Sequence, residues 1–301
     1  MSSLPTGSSS GAWVAYRKWA RTSAYHKAVI DRLTTQSLWL AIVGAVLATL
    51  GQQLMPAAPK EGMLIWLYKA PGILGSAAVA LAAYLAKQAM TGDKVRTWTR
   101  ARAAAESLKS GIFLFRASIP PFSDADRVTQ LVARVKKLED DLKDVEPRPP
   151  DDKPEALSQL TVDQYISERV DEQVKWYTRR AAEHQHKADF CRKATTVLGA
   201  AGVLLALGAT SAAVSAWAAV VATITASISA HLKNQQYQTL AATYQSTALR
   251  LMLLKDEWTG KQKTDQEFIQ QCEDTMATEN GAWTELWSKK NAAAAAASDV
   301  K

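Results

Sequence analysis

The sequence predicts an all-α integral membrane protein in which four transmembrane helices form two hairpins flanked by long cytosolic helices. Three observations predict this. No charged residue occurs between Ala194 and Ala230. At about 1.5 Å per residue a single helix of that length would reach about 55 Å, nearly twice a hydrocarbon core of about 30 Å, so the run must fold back on itself. Two earlier apolar segments, Ser37–Leu54 and Pro71–Ala86, have the same form. Nearly all charge lies outside these four segments, with Lys69 at the outer edge of the second as the exception. The mean hydropathy of -0.15, which resembles that of a soluble chain, hides this segregation.

Taken in order, residues 1–12 (MSSLPTGSSSGA) read as a flexible polar leader with neither a signal-peptide core nor the glycine of a myristoylation site. Trp13 to Arg32 reads as a basic amphipathic helix feeding the first span, 37–54. Pro56, Pro59 and Gly62 punctuate the turn, and Trp66 and Tyr68 suit a membrane interface. The second span, 71–86, ends on Lys87. From Asp93 to Ala117, Trp98, Ala101, Ala105, Leu108, Ile112 and Phe115 recur at helical spacing until Pro120 and Pro121 break it. Asp124–Val145 carries a heptad, with Val128, Val135 and Leu142 on one seam position and Leu131, Leu138 and Val145 on the other. β-Branched residues at a with Leu at d favour two-stranded pairing. Val128, Leu131, Val135, Leu138 and Leu142 are therefore candidate oligomerisation residues, and the alternative is an ordinary helix packed on its own neighbours. The proline-rich segment 146–159 links the halves. Thr161 is a candidate N-cap for the helix that follows, which runs into a basic cluster before spans 194–208 and 213–230. A helical segment then extends to Trp287 with a break near Gly260, and residues 291–301, with an alanine run, read as a disordered tail. The halves are thus 13–145 and 160–290.

The net charge of +7 is compatible with nucleic acid or with an anionic membrane face. The Lys and Arg residues crowd beside the spans, which favours the membrane and sets the orientation. The turn around Thr210 is uncharged and the Met55–Pro71 turn nearly so, placing both termini and the linker in the cytoplasm of a cell with the protein in its inner membrane. Cys191 and Cys272 then lie in a reducing compartment, and no disulfide is expected.

Inside lipid, small residues must bring helices together. Ala218, Ala222, Ala226 and Ala230 form such a stripe on the fourth span, and Gly199, Gly202 and Ala206 another on the third. The first span offers Ala41, Ala45 and Thr49, and the second Gly72, Ser76 and Ala80. Whether these contacts fall within one chain or between chains is open at this level. No ionisable residue stands at mid-membrane depth, which argues against a proton-coupled transporter or voltage sensor. Ser211, Ser215, Thr225 and Ser229 share roughly one face of the fourth span. They are candidate pore-lining residues, the alternative being hydroxyls bonded back to their own helix.

Little else points to chemistry. Glu183, His184, His186 and Cys191 lack a matching second helix that would complete a metal site. No phosphate loop, nucleophile elbow or carboxylate pair is present, so neither an enzyme nor a cofactor is expected.

Certain short motifs resemble the SLATT family of DUF4231 type, twice in tandem. In the second half these are Tyr165-Ile166-x-x-Arg169 and Trp176-Tyr177-x-x-Arg180-Ala181 before the hairpin. After it come Tyr244-Gln245-Ser246-Thr247-Ala248, Leu251, Leu254, Trp258, Glu279 and Trp283. In the first half they are Trp98-x-x-x-Arg102 and Ala105-Glu106-x-Leu108-Lys109. The resemblance implies a two-span membrane effector of bacterial conflict and defence systems that acts by pore formation or membrane disruption. It implies a homo-oligomer in the lipid bilayer beside a nucleotide-signalling or sensor partner protein, with no role for nucleic acid. No sensor domain is evident, so a trigger would come from such a partner or bind the cytosolic helices. A membrane scaffold that anchors a helical interaction platform is the alternative. A soluble helical protein with unusually apolar core hairpins is a third.

Overall fold

Backbone groups in hydrocarbon must be paired within their own segment, so an apolar chain of this kind resolves into helices. The computed structural model describes residues 8–59, 61–150, 158–208 and 211–299, and among them all regular structure is helical. Helix α1 runs unbroken over Ser8–Leu54, 47 residues. The leader expected up to residue 12 is therefore helical from Ser8, and residues 1–7 lie outside the described part. After a short turn through Met55–Ala57, and Gly62 with φ +102°, α2 covers Ile65–Ala89. Pro71 lies inside this helix instead of opening it. A proline near a helix end leaves one carbonyl without its usual donor, which membrane helices tolerate.

Helix α3 spans Gly92–Ala117 and closes on Ser118 in the left-handed region (φ 55°), with Ile119 N–H donating to Leu114 O. Helix α4 covers Arg127–Asp141, shorter than the expected 124–145. Glu139, Asp140 and Asp141 place negative charge at its C-terminus, where the helix dipole opposes them. Leu142 and Val145 follow in a turn closed by Val145 N–H to Leu142 O. Residues 151–157 of the linker lie outside the described part. Thr161 and Gln164 form a reciprocal capping box at the start of α5, Val162–Tyr165, as the N-cap assignment anticipates. A π-helical turn, Ile166–Val170, joins α5 to α6, Asp171–Leu207. The remaining helices are α7 (Ala212–Gln235), α8 (Tyr237–Thr259) and α9 (Asp265–Asp299). Helix α9 includes most of the tail expected to be disordered; alanine is the strongest helix former, and the run extends a helix already capped by Thr264 and Glu267.

Four of these helices carry stretches long and apolar enough to cross a membrane. Only 0–11% of each apolar stretch is buried against protein. That is the surface of a multi-pass membrane protein, and it excludes the reading in which the apolar runs are core hairpins of a soluble bundle.

The chain divides into two compact units. The span unit comprises Val29–Met90 and Glu183–Leu240. Its first hairpin closes backbone to backbone. A Cβ on Gly51 would fall 2.3 Å from Gly72 N, one on Gly75 2.3 Å from Ala48 N, and one on Gly44 2.9 Å from Gly75 O. The contact stripe on α1 is thus Gly44, Ala48 and Gly51, a face adjoining the expected Ala41, Ala45 and Thr49. On α2 the partners are Gly72, as expected, and Gly75. Ser37 Oγ donates to Ala82 O at 2.8 Å in the same hairpin. Gln53 ties α1 to α7: its amide donates to Ala213 O (2.9 Å) and accepts from Trp217 Nε1 (3.2 Å).

The bundle unit contains the chain up to Ala28, Thr91–Ala182 and the chain from Ala241 onward. One part of its core joins Ala15 and Trp19 of α1 to Ala101, Ala104, Ala105 and Leu108 of α3, with Leu142 and Val145 against them and Val135 and Leu138 at the edge. The heptad seam therefore faces the chain's own helices, the second of the two arrangements its spacing allows. Leu131 is fully buried and Val128 half-buried. Glu139 accepts from Lys18 Nζ (2.6 Å) and Trp19 Nε1 (2.9 Å), and Asp144 takes Arg100 in a two-pronged pair (2.7 and 2.8 Å).

The glycine contacts give a direct test. Gly75→Val should push α1 and α2 apart and cost about 2 kcal/mol or more, the range for overpacking a close contact. At Gly199, where an added Cβ meets nothing within 4 Å, Gly199→Ala should be neutral or stabilising. Thermal unfolding of the two variants in detergent, beside the parent, distinguishes them; equal losses would refute the contact.

Candidate functional site

The residues singled out in the spans occupy ordinary helical positions. Ser211 caps α7, accepting from Val214 N–H at 3.5 Å. Ser215 donates to Ser211 O (3.3 Å), Thr225 to Val221 O (2.8 Å) and Ser229 to Thr225 O (2.8 Å). Each of these three hydroxyls is satisfied by the turn below it. Of the small-residue stripe, Ala218 is half-buried, while Ala222, Ala226 and Ala230 are exposed on the chain. Gly202 lies in ordinary reach of α7, its Cβ position 3.4 Å from Val221 Cγ1, and Gly199 is open. His184 packs toward Tyr237, with ring centroids 5.6 Å apart. Among the described residues no group of three His, Cys, Asp or Glu side chains could hold a metal ion. Cys191 and Cys272 are both buried free thiols.

The richest chemistry lies in the bundle unit, where motif residues of both halves meet. The π-helical turn after Tyr165 carries Arg169 into the core. There its guanidinium donates from Nε and Nη2 to the two oxygens of Glu273, both at 2.9 Å. Tyr165 Oη donates to the same carboxylate at 3.0 Å. Both charged side chains are 2% exposed. Arg169 also lies over the Phe113 ring at 5.0 Å. In so dry a place the attraction is strong only because every lost water contact is replaced.

Beside this pair lies a polar cleft of about 490 Å³. Arg102, Glu106 and Lys109 reach it from α3, spaced by one helical turn each and therefore on one face. Tyr16 comes from α1, Gln173, Trp176 and Tyr177 from α6, and Glu279 from α9. Tyr177 Oη donates to Glu279 Oε2 at 3.1 Å. The Arg102 guanidinium lies 4.1 Å from the centre of the Trp283 ring, with Nη2 3.8 Å from Glu279 Oε1. That distance is too long for a hydrogen bond, and Glu279 Oε1 and Arg102 Nε are both buried without a hydrogen-bond partner. Burial raises the Glu279 carboxyl above its ordinary range, opposed by Arg102. With the Gln173 amide assigned so that its oxygen faces the two cations, the orientation that satisfies both, it accepts from Lys109 Nζ (2.8 Å) and Arg169 Nη1 (3.0 Å). Lys109 makes no ion pair among the described residues. Burial first, and then repulsion from Arg169, lowers its ammonium to about 8. Trp98 stacks edge-on against Trp283 and Trp287, with Lys27 above it at 4.9 Å.

The sequence reading named most of these side chains as motif members but gave none of them a role, and it missed Glu273. The legible signal was a pair of acids, Glu273 and Glu279, among the apolar positions of an amphipathic helix. A buried acid there demands a cation from elsewhere in the fold.

A bundle of charged helices joined to four membrane-length spans defines a multi-pass membrane protein with a polar, water-accessible part. Residues 165–283 match the family SMODS and SLOG-associating 2TM effector domain 1 (SLATT_1), and residues 13–130 match DUF4231, a protein family of unknown function. The two matches together support a SLATT-type domain in tandem, within a multi-pass membrane protein. No curated protein and no solved structure matches it.

Two outcomes follow for the bundle. Arg169→Met leaves a carboxylate buried without its cation, and should cost about 3–5 kcal/mol; the double variant Arg169→Met, Glu273→Leu should recover most of that. Chemical unfolding of the purified protein tests this, and a double variant as unstable as the single would refute it. At Lys109 the native state holds a proton less firmly than the unfolded chain, so native stability rises with pH between about 8 and the ordinary lysine range. Lys109→Met should therefore stabilise by on the order of 1 kcal/mol at pH 7, and the gain should vanish above about pH 10. Melting curves across that range decide it.

Proposed function

We propose that the protein is a homo-oligomeric effector of a bacterial conflict or defence system that permeabilises the membrane holding it, by forming a pore or disrupting the bilayer. It acts without enzymatic chemistry, cofactor or nucleic acid. Its working partners are the lipid bilayer, further copies of itself and a nucleotide-signalling or sensor protein. It resides in the inner membrane with both termini in the cytoplasm. The observation that supports the reading best is the bare surface of the second hairpin. Val197, Val203, Leu204 and Leu207 are 59–81% exposed, and Ala222, Ala226 and Ala230 lie open beside them on α7. Glycines of the first hairpin are spent on an internal contact, whereas Ala222, Ala226 and Ala230 stand open among the described residues. Close packing of small residues is what drives helix association in lipid, so a second copy is a natural occupant.

A scaffold is the second reading, and one observation favours it: the hydroxyls of Ser215, Thr225 and Ser229 bond to their own backbone, leaving few groups to line a wet pore. In that case the spans anchor the bundle unit as an interaction platform. Membrane potential during inducible expression separates the two. The effector reading expects depolarisation, reduced several-fold in Ala222→Leu, Ala226→Leu at matched membrane levels. Unchanged potential under expression together with the cognate signalling partner would leave the scaffold.

A further inference from the structure

We infer that the bundle-unit cleft is a binding site for a small organic anion, its acidic group held by Lys109, its ring laid against Trp176 and Tyr16, and its polar edge turned to Arg102 and Glu279. This goes beyond the membrane reading and does not rest on it. The cleft's volume of about 490 Å³ falls in the range of small-molecule sites.

Three features of its wall describe the occupant. Lys109 is a half-buried ammonium with no ion pair among the described residues, and the Gln173 oxygen, in the assigned amide orientation, is shared between it and Arg169. A cation so placed is under-compensated, and an incoming phosphate or carboxylate supplies the missing charge. Arg102 Nε and Glu279 Oε1 are an orphan donor and an orphan acceptor on the same wall. Buried polar groups are almost always paired, so this wall is completed by a molecule that offers an acceptor and a donor side by side, such as a hydroxylated ring or the amide edge of a heterocycle. Trp176 and Tyr16 add aromatic surface for a ring. The lining sets Arg102, Lys109, Lys175 and Arg179 against Glu106, Glu172 and Glu279, a near balance that suits one acidic group on a neutral, hydrogen-bonding body better than a multiply charged anion.

Binding is linked to pH. Lys109 faces Tyr16 from α1, Glu106 on its own helix, Arg169 and Gln173 from the α5–α6 segment, and Glu273 from α9, in a cleft lined also by Arg102, Glu172, Lys175, Tyr177, Arg179 and Glu279. Among these, burial and Arg169 weaken its hold on a proton, and a bound anion restores it. Affinity should therefore decline as pH rises through about 8.

Lys109 also reports on its own site, since a less basic amine is acylated in preference to surface lysines near pH 8. The test is competitive acylation of the full-length protein in detergent, read residue by residue by mass spectrometry. Inorganic phosphate, glucose 6-phosphate, adenosine monophosphate and glucuronate are compared with glucose and adenosine. At least one of the three organic anions should slow Lys109 labelling by about tenfold at millimolar concentration, while its uncharged parent does not. The same compound should bind Lys109→Arg by calorimetry, and bind Lys109→Met about tenfold more weakly or worse. Which anion protects distinguishes a phosphate ester from a carboxylate. Labelling unchanged by all three, equal protection by the parents, equal protection by inorganic phosphate alone, or undiminished binding to Lys109→Met would each overturn the proposal.

Discussion

A guanidinium removed from water must find acceptors to replace those it gives up, and the bundle unit is arranged so that each nitrogen of the Arg169 guanidinium has one. Glu273 takes two of its donors, the Gln173 oxygen a third, and the face of Phe113 covers the delocalised charge. These partners come from α9, α6 and α3. The pair thus fixes how three helices approach, a demand for register that apolar packing alone does not make. The π-helical turn follows from the same demand. Widening the helix over Ile166–Val170 changes the direction in which Arg169 projects, and such turns recur where a side chain must be re-aimed into a site. Burial within this arrangement, and then the fixed charge of Arg169, lower the basicity of Lys109.

The four spans were legible because charge exclusion over such lengths has few causes, and the boundaries of the third and fourth were set by Gly208 and Ser211, residues whose chemistry ends and begins helices. The heptad on α4 was legible as an apolar face but not in its destination. Periodicity reports that one side of a helix is buried; it carries no information on whether Trp19 and Leu108 or another copy does the burying. The glycine contact of the first hairpin was missed by one helical position. Gly44, Ala48 and Gly51 and the stripe read from the sequence are neighbouring faces of one helix, and both are composed of small residues.

The polar site was legible only in pieces. Arg102, Glu106, Lys109, Tyr165, Arg169, Tyr177 and Glu279 stood out only because they fall in the short motifs that resemble the SLATT family. Their convergence depends on how helices from distant parts of the chain pack, which local spacing cannot express. Pairings such as Arg169 with Glu273, or the absence of one at Glu279 Oε1, are facts of three-dimensional packing alone.

Duplication gave this chain two hairpins, and the structure uses them unequally. In the first, glycines on facing helices let backbones touch, so neither helix can slide or rotate without a steric collision. The second meets at longer range, through Gly202 and Val221, and leaves its alanine ridge uncovered. One hairpin is thus locked backbone against backbone and answers to a single added methyl, while the other has a side chain's width to yield before its helices collide.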